Sequence, residues 1–319
     1  MEELEKFSFT KVLKTFSYGF KIVKEVLTYK PDLVYFTLVP TGLGFYRDAF
    51  YVFLLKLLNQ KIVFHLHGKG IKEKTKSSIL KRLYTWVFKN TYVICLSQNL
   101  TTDIDSIYSS KPFIVANGIQ VQPHFDRDLH RVNGFVPQIL YLSNYIRAKG
   151  ILILIDALGI LKKRGYTFNA NFVGAPYDLT VESLKVIIKQ QDLTASAKII
   201  GPLHGDDKIA EFQKADIFVF PTYNEAFGLV NLEAMQYSLP VVSTFEGSIP
   251  DIVINNETGL LAEARNTLML ADKIAVLLKD KDLRIKMGKK GYDRFINNYT
   301  LHHFEANMNK TFQSIASAN

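Results

Sequence analysis

Residues 221–242 read PTYNEAFGLVNLEAMQYSLPVV, and they hold two glutamates eight positions apart, Glu225 and Glu233. The apolar run before them, ADIFVF (215–220), has the length and composition of a buried strand. Asn224 and Glu225 follow as a turn, Gly228 permits a tight backbone, and residues 228–237 are rich in helix formers and free of Pro. The stretch therefore predicts a strand, a turn and a helix, with Glu225 on the turn and Glu233 inside the helix. Five residues from Gly228 to Glu233 rise about 7.5 Å. The unpaired N–H groups of a first helical turn, with the helix dipole behind them, form an anion site. A phosphate bound there would lie about one sugar's breadth from the Glu233 carboxylate. Leu229, Val230, Leu232, Ala234 and Met235 make this helix oily. A buried carboxylate among them needs donors or shifts its pKa. Two vicinal ribose hydroxyls would supply the donors; a glutamate on a narrow solvent face would need none.

The same strand-and-helix reading extends in both directions. A helical run (9–29) ends before Pro31. Strand-like runs follow at 32–38, 61–67, 91–97 and 113–117, with helix-like runs near 44–58, 75–89 and 99–108. Residues 117–137 break the alternation with two Asn-Gly pairs, two Pro and mixed charge, so a linker is placed at 121–137. A second alternating set runs from QILYLS (138–143) to GLLA (259–262), and 267–316 reads as all-helical. Alternation of this kind implies parallel sheets with right-handed crossovers. With 319 residues the chain is long enough for two medium domains. The division is an N-terminal domain at 1–120, a C-terminal domain at 138–300 and a closing helix at 301–319.

The paired glutamates with Phe227 and Gly228 between them resemble the signature of the retaining family-four (group 1) glycosyltransferases, whose fold is GT-B. LPVVSTFEGSIPDIVINNETGLLAE (239–263) continues the resemblance, with Gly247, Ser248 and Asp251 where the family usually has Gly-Gly and Glu. ILYLSNYIRAKGI (139–151) resembles the family's strand, turn and Lys-Gly element, although the usual Arg is Asn144. The resemblance covers roughly residues 30–300. It implies an α/β fold of two Rossmann-like parallel-sheet domains facing across a cleft. Family members begin with a strand and a Gly-rich turn, whereas this chain opens on a helix, so the first domain is expected to be incomplete.

Roles for individual residues follow from the resemblance. Lys149 matches the lysine that clamps the donor diphosphate, beside the N–H groups of 227–230. Asn144 can donate a hydrogen bond there without charge, and Arg147 could compensate. Charge building on the leaving diphosphate needs such cations and N–H donors, while Glu225 would hold hydroxyls of the donor sugar and favour its positive, oxocarbenium-like transition state. Phe227, Gly228 and Leu229 match sugar and phosphate contacts, Glu233 the ribose contact, and Leu203 and His204 would flank the base. His67 matches a histidine near the donor phosphates and the acceptor; a packed structural histidine is its alternative, and the stronger reading for His65. Asp103-Ile-Asp105 has the pattern of metal-using glycosyltransferases, yet acids at a helix start explain it better. No metal site and no cofactor are expected, the nucleotide-diphosphate sugar being a substrate.

The expected activity is transfer from that donor to a saccharide or lipid-linked saccharide acceptor, with retention, in the synthesis of cell-surface polysaccharide such as lipopolysaccharide. A GT-B sugar-nucleotide epimerase and a non-catalytic sugar-nucleotide-binding relic are the rival readings. Charge bears on the partners. Residues 1–135 hold 19 Lys and Arg against 11 Asp and Glu, while 136–319 hold 20 against 19. A basic first half suits an anionic membrane surface. The run at 9–27 sets Val12, Phe16, Phe20, Val23 and Leu27 on one stripe beside lysines, and 69–89 carries seven basic residues with Tyr84, Trp86 and Phe88. Packing of these stripes on a sheet is the alternative. No nucleic-acid motif accompanies the charge. No apolar run reaches the about 18 residues of a membrane span. A single cysteine, Cys95, excludes a disulfide framework and fits a cytoplasmic setting, with contact at the inner membrane face.

Overall fold

The computed structural model describes residues 9–123 and 136–317. They form two compact units, one of residues up to Ala116 together with those from Glu305 onward, the other of Asn117–Phe304.

The first unit opens with α1 (Phe9–Tyr29) and continues β1 (Val34–Thr37), α2 (Gly42–Leu57), β2 (Ile62–Leu66), the short α3 (Ile71–Lys74), α4 (Ser78–Phe88), β3 (Tyr92–Cys95) and β4 (Phe113–Ile114). The four strands lie in the order β1-β2-β3-β4, all parallel. Every residue of β2 is buried, as a central parallel strand with both faces covered requires. Phe45, Val52, Phe64, Tyr84, Val87 and Phe88 fill the core on one side, with Phe45 and Tyr84 stacked at 3.8 Å. Cys95 packs there as a small hydrophobe, and burial pushes its thiol up to about 12. The helix expected at 99–108 is shorter: only Asn99–Asp103 coil, as a 3-10 turn. The Ser97 hydroxyl meets the Leu100 N–H, and Thr101 and Thr102 bond back to carbonyls three residues earlier. Such local side-chain bonds compete with a regular helix. The turn also delivers Asp103, whose carboxylate accepts from the N–H groups of Gly70, Ile71 and Lys72 at 2.9–3.0 Å. Asp103 therefore caps α3, the expected use of an acid at a helix N-terminus.

The stripe of α1 packs differently from either expectation. Its inward seam is Val12, Thr15, Gly19, Ile22 and Val26, while Phe16, Phe20 and Leu27 are 59%, 73% and 60% exposed. Gly19 explains the rotation. A Cβ there would stand 2.9 Å from Phe50 and 3.0 Å from Leu54, so α1 turns its glycine onto α2 to come close. The aromatic surface left outside continues across neighbouring helices. Phe16 meets Phe50 edge-on at 5.3 Å, and Phe53 of α2 lies 6.4 Å from Trp86 of α4. Lys56 sits 4.9 Å above the Trp86 ring and donates to the carbonyls of Trp86 and Lys89. Its burial, and then the charge of Lys89, lowers its pKa to about 8. Lys81, Arg82, Trp86 and Lys89 line a groove along α4.

The second unit holds six parallel strands, β5 (Gln138–Leu142), β6 (Asn169–Val173), β7 (Ala197–Gly201), β8 (Ile217–Val219), β9 (Val241–Thr244) and β10 (Gly259–Ala262). Between them run α5 (Ile151–Lys163), α6 (Val181–Gln190), α7 (Gly205–Lys214), α8 (Leu229–Gln236) and the short α9 (Ile249–Ile252). The helices α10 (Thr267–Lys279), α11 (Lys281–Asn298) and α12 (Leu301–Ser317) follow, as the all-helical reading of the tail requires. The strand order is β10-β9-β8-β5-β6-β7. The chain thus starts in the middle at β5, builds to one side, and returns to build on the other from β8. The linker expected at 121–137 falls chiefly on 124–135, outside the described residues. No helix among the described residues is long and apolar enough to cross a membrane.

Candidate active site

In an open parallel sheet the ligand crevice lies outside the carboxyl ends of the strands, where the strand order reverses. Here that point is between β5 and β8, and the loops after those two strands carry Lys149 and Glu225. Backbone bonds stitch the loops together: the Tyr223 N–H and the Thr222 hydroxyl both donate to the Ala148 carbonyl, at 2.9 and 3.0 Å. Gly150 makes the approach possible. Its φ is +80°, and a Cβ on it would fall 2.0 Å from the Pro221 carbonyl oxygen.

The structure joins the two residues as an ion pair. Lys149 Nζ lies 2.8 Å from Glu225 Oε2, with side chains 24% and 16% exposed, and 5.9 Å from the centre of the Phe220 ring. The other carboxylate oxygen of Glu225 turns back on its own loop and accepts from the N–H groups of Ala226 at 3.0 Å and Phe227 at 3.3 Å. The Phe227 N–H, expected to face a ligand phosphate, is therefore engaged by Glu225. Phe227 itself is buried and Leu229 is 42% exposed.

Gly228 caps α8 with φ +85°, and a Cβ on it would stand 2.7 Å from Asn231 Nδ2. Asn231 is fully buried, and neither side-chain polar atom has a protein partner. Gly247, with φ +54°, brings the loop after β9 against the same turn: its Cβ would meet the Glu225 carbonyl at 2.2 Å. Ser248 has φ −83°, which any residue adopts, so the position needs no second glycine.

Glu233 lies on α8 between the fully buried Leu232 and Ala234. Its carboxylate has a counter-charge that the sequence reading missed. Lys208, in the first turn of α7, places Nζ 2.8 Å from Glu233 Oε2, with the two side chains 30% and 23% exposed. Leu203 is half-buried and His204 exposed at the mouth of the loop after β7. Asn144 and Arg147 are both exposed on the loop after β5. Asn144 Oδ1 accepts from the Ala175 N–H at 3.3 Å, and the Arg147 N–H is held by the Asp178 carboxylate at 2.9 Å. Another cation at the carboxyl edge, Arg265 after β10, stacks 4.2 Å from the Tyr223 ring.

His67 belongs to the first unit, just beyond the end of β2. Its ring lies 4.1 Å from that of His65, two residues earlier on the same face of the strand. His65 is fully buried and shares a 2.6 Å hydrogen bond between Nδ1 and the Tyr35 hydroxyl. Tyr35 in turn meets Phe312 of α12 edge-on. Burial, and then the neighbouring His67, lowers the His65 pKa to about 3. His67 is exposed on one side, and desolvation of the rest of its ring lowers its pKa. His65 is thus the packed histidine, and His67 rides on it at the strand end. Among the described residues no cluster of three His, Cys, Asp or Glu could hold a metal ion.

Comparison with known proteins bears on the family and the fold. The pattern of the family described as Glycosyl transferases group 1 matches residues 125–294. The Staphylococcus aureus capsular polysaccharide biosynthesis glycosyltransferase CapM is 29% identical over 231 residues, 67% of this chain and 59% of that protein. The structure of sucrose-phosphate synthase from Thermosynechococcus elongatus superposes with a TM-score of 0.79 at 18% identity, over 98% of this chain and 81% of the other. That of Anabaena HepE in complex with UDP gives 0.75 at 20% identity, over 93% and 82%. Identities this low speak for the fold alone, and they bear out the GT-B fold and its two parallel α/β sheets. The chain spans little more than half the length of the first two curated relatives it matches, 59% and 53%.

Proposed function

The chain belongs to the group 1 glycosyltransferases, and on that premise we propose that it moves a sugar, with retention, from a nucleotide-diphosphate sugar to a saccharide or lipid-linked saccharide acceptor. The observation that carries the proposal is the Lys149–Glu225 pair at the switch point, 2.8 Å apart and largely out of water. A lysine and a glutamate so placed serve opposite charges of one transition state. As the glycosidic bond breaks, negative charge grows on the diphosphate oxygen and positive charge on the anomeric carbon. Lys149 leaves Glu225 for the diphosphate, and the carboxylate it releases faces the sugar. Such preorganised charge in a water-poor site is worth far more than in bulk. No metal is needed in this scheme, because Lys149 supplies the cation. The leaving phosphate guides the acceptor to the same face, and retention follows.

HepE was solved with UDP, which supports a nucleoside-diphosphate donor here. Glu233 holds the ribose, with Leu203 and His204 beside the base. CapM is named for capsular polysaccharide, which supports a role in cell-surface polysaccharide synthesis, lipopolysaccharide included. The exposed Phe16, Phe20, Phe53 and Trp86 interleaved with Lys21, Lys24, Lys81 and Arg82 suit anionic headgroups, where aromatic rings enter the interface and cations meet lipid phosphate. The enzyme would then work at the cytoplasmic membrane face.

Titration calorimetry with UDP, GDP and ADP, followed by nucleotide release from the matching sugar donors with and without acceptor, tests the proposal. Tight binding of one nucleoside diphosphate and acceptor-dependent release support it. A chain that binds none of the three refutes it.

A further inference from the structure

Lys208 has no place in the scheme above, and its position is costly. It stands in the first turn of α7, where the helix dipole disfavours a cation. It nevertheless reaches across to α8 and sets its ammonium 2.8 Å from Glu233 Oε2. That oxygen is itself buried, and Lys208 does not approach it along a hydrogen-bonding direction: Oε2 has a counter-charge and no aligned donor. The pair is therefore half-satisfied. The carboxylate can accept another hydrogen bond, and the ammonium, 30% exposed, has N–H groups left to give.

We propose that Lys208 and Glu233 act together as a donor–acceptor couple that reads the vicinal hydroxyls of the nucleotide's ribose, Glu233 accepting from one hydroxyl and Lys208 donating to its neighbour's oxygen. This rests on the nucleotide reading of the site given above. A lone carboxylate receiving two hydroxyls would leave no use for the lysine. Here one oxygen already faces a cation, so a two-point contact needs both residues. α7 supplies Lys208 four residues after His204 and five after Leu203, so the same segment that borders the base would also read the sugar. The couple makes Lys208 a specificity-determining residue, selecting ribose over deoxyribose.

The test takes whichever of UDP, GDP and ADP the wild-type chain binds most tightly, with its 2′-deoxy and 3′-deoxy analogues. Calorimetry is run on wild type, Lys208→Met, Lys208→Gln and Lys208→Arg, with thermal melts to confirm folding. Loss of one charge-assisted hydrogen bond predicts about ten-fold weaker binding of the ribonucleotide by Lys208→Met. The same variant should bind one of the two deoxy analogues as wild type does, so that preference disappears for that hydroxyl alone. Lys208→Arg should restore part of the preference. Should Lys208→Met fail to fold, Lys208→Gln carries the comparison. An unchanged ribo-to-deoxy ratio in the Met or Gln variant, with or without a lower melting temperature, would mean that Lys208 only ties α7 to α8 and overturns the inference while leaving the transferase reading intact. A wild type that binds no nucleoside diphosphate overturns both.

Discussion

The two units solve the same packing problem with different surfaces. In the second, six strands are covered by helices that turn most of their large apolar residues inward, with Val186 and Leu268 among the exceptions, and the Lys149–Glu225 pair sits at the carboxyl edge where strand order reverses. In the first, four strands carry helices that keep large side chains outside: Phe16, Phe20, Leu57 and Ile79 are each more than half exposed. On the reading proposed above, the second surface suits a small polar ligand and the first a broad anionic, partly apolar one. Stripes of similar hydrophobicity thus end in opposite places, and the deciding feature is what the rest of each unit leaves for them to cover.

The widest gap between the units should appear in stability. Phe218→Ala removes a fully buried ring from β8 and should cost about 3–5 kcal/mol. Phe20→Ala, at 73% exposure, should stay within about 0.5 kcal/mol. Urea titration of both variants checks the contrast, and a comparable loss in each would mean that the outer face of α1 is covered in the native molecule.

Next in size is the charge pair. Glu225→Ala should lower turnover by about 10²–10³ fold, the range for loss of one preorganised electrostatic group. It should leave nucleoside-diphosphate affinity equal or tighter, since Lys149 no longer has a partner to give up. Lys149→Ala should weaken that affinity by about ten-fold or more. Calorimetry beside a release assay separates the two roles; weaker nucleotide binding by Glu225→Ala would contradict them.

Acid should act on the first unit through His65. Burial depresses its folded pKa to about 3 from an ordinary 6.5. The unfolded chain therefore takes up the proton first as pH falls. The contribution is intact above about 6.5 and is lost downward toward 3, with a limiting slope of about 1.4 kcal/mol per pH unit. His65→Gln does not titrate, so the stability difference between it and wild type should be constant above pH 6.5 and narrow below. Parallel curves from pH 7 to 4 would exonerate His65.

The smallest effect concerns the outer face of the first unit. Lys81→Gln should weaken association with anionic vesicles by about 1 kcal/mol, roughly five-fold, and added salt should shrink the difference. Equal sedimentation with neutral and anionic vesicles would remove the lipid reading of that face.

Much of this molecule is legible before folding. The alternation of apolar runs and helical periods located the ten strands among the described residues, most clearly the central ones such as β2, whose covered faces demand a continuously apolar run. The spacing of Glu225, Phe227, Gly228 and Glu233 marked the turn and helix correctly, because a glycine and a Pro-free run of helix formers are local instructions. Lys149 was legible as a cation beside Gly150. What the sequence could not carry is any relation set by three-dimensional approach. Lys208 lies 25 positions before Glu233, in a segment whose local pattern says only surface helix, and nothing in its neighbours announces an ion pair on another helix. The register of α1 was misjudged by one residue because hydrophobicity alone favoured phenylalanine over the small Gly19, while the close approach to Phe50 and Leu54 favoured glycine. Asp103 reads in sequence as an acid at the start of its own helix, and only the fold shows that it caps a different one, accepting from the N–H groups of Gly70, Ile71 and Lys72. Local propensity and burial periodicity act within a few residues and survive in one dimension. Pairing of charges, capping at a distance and the choice of which helix face is covered depend on contacts between segments, and only the tertiary structure decides them.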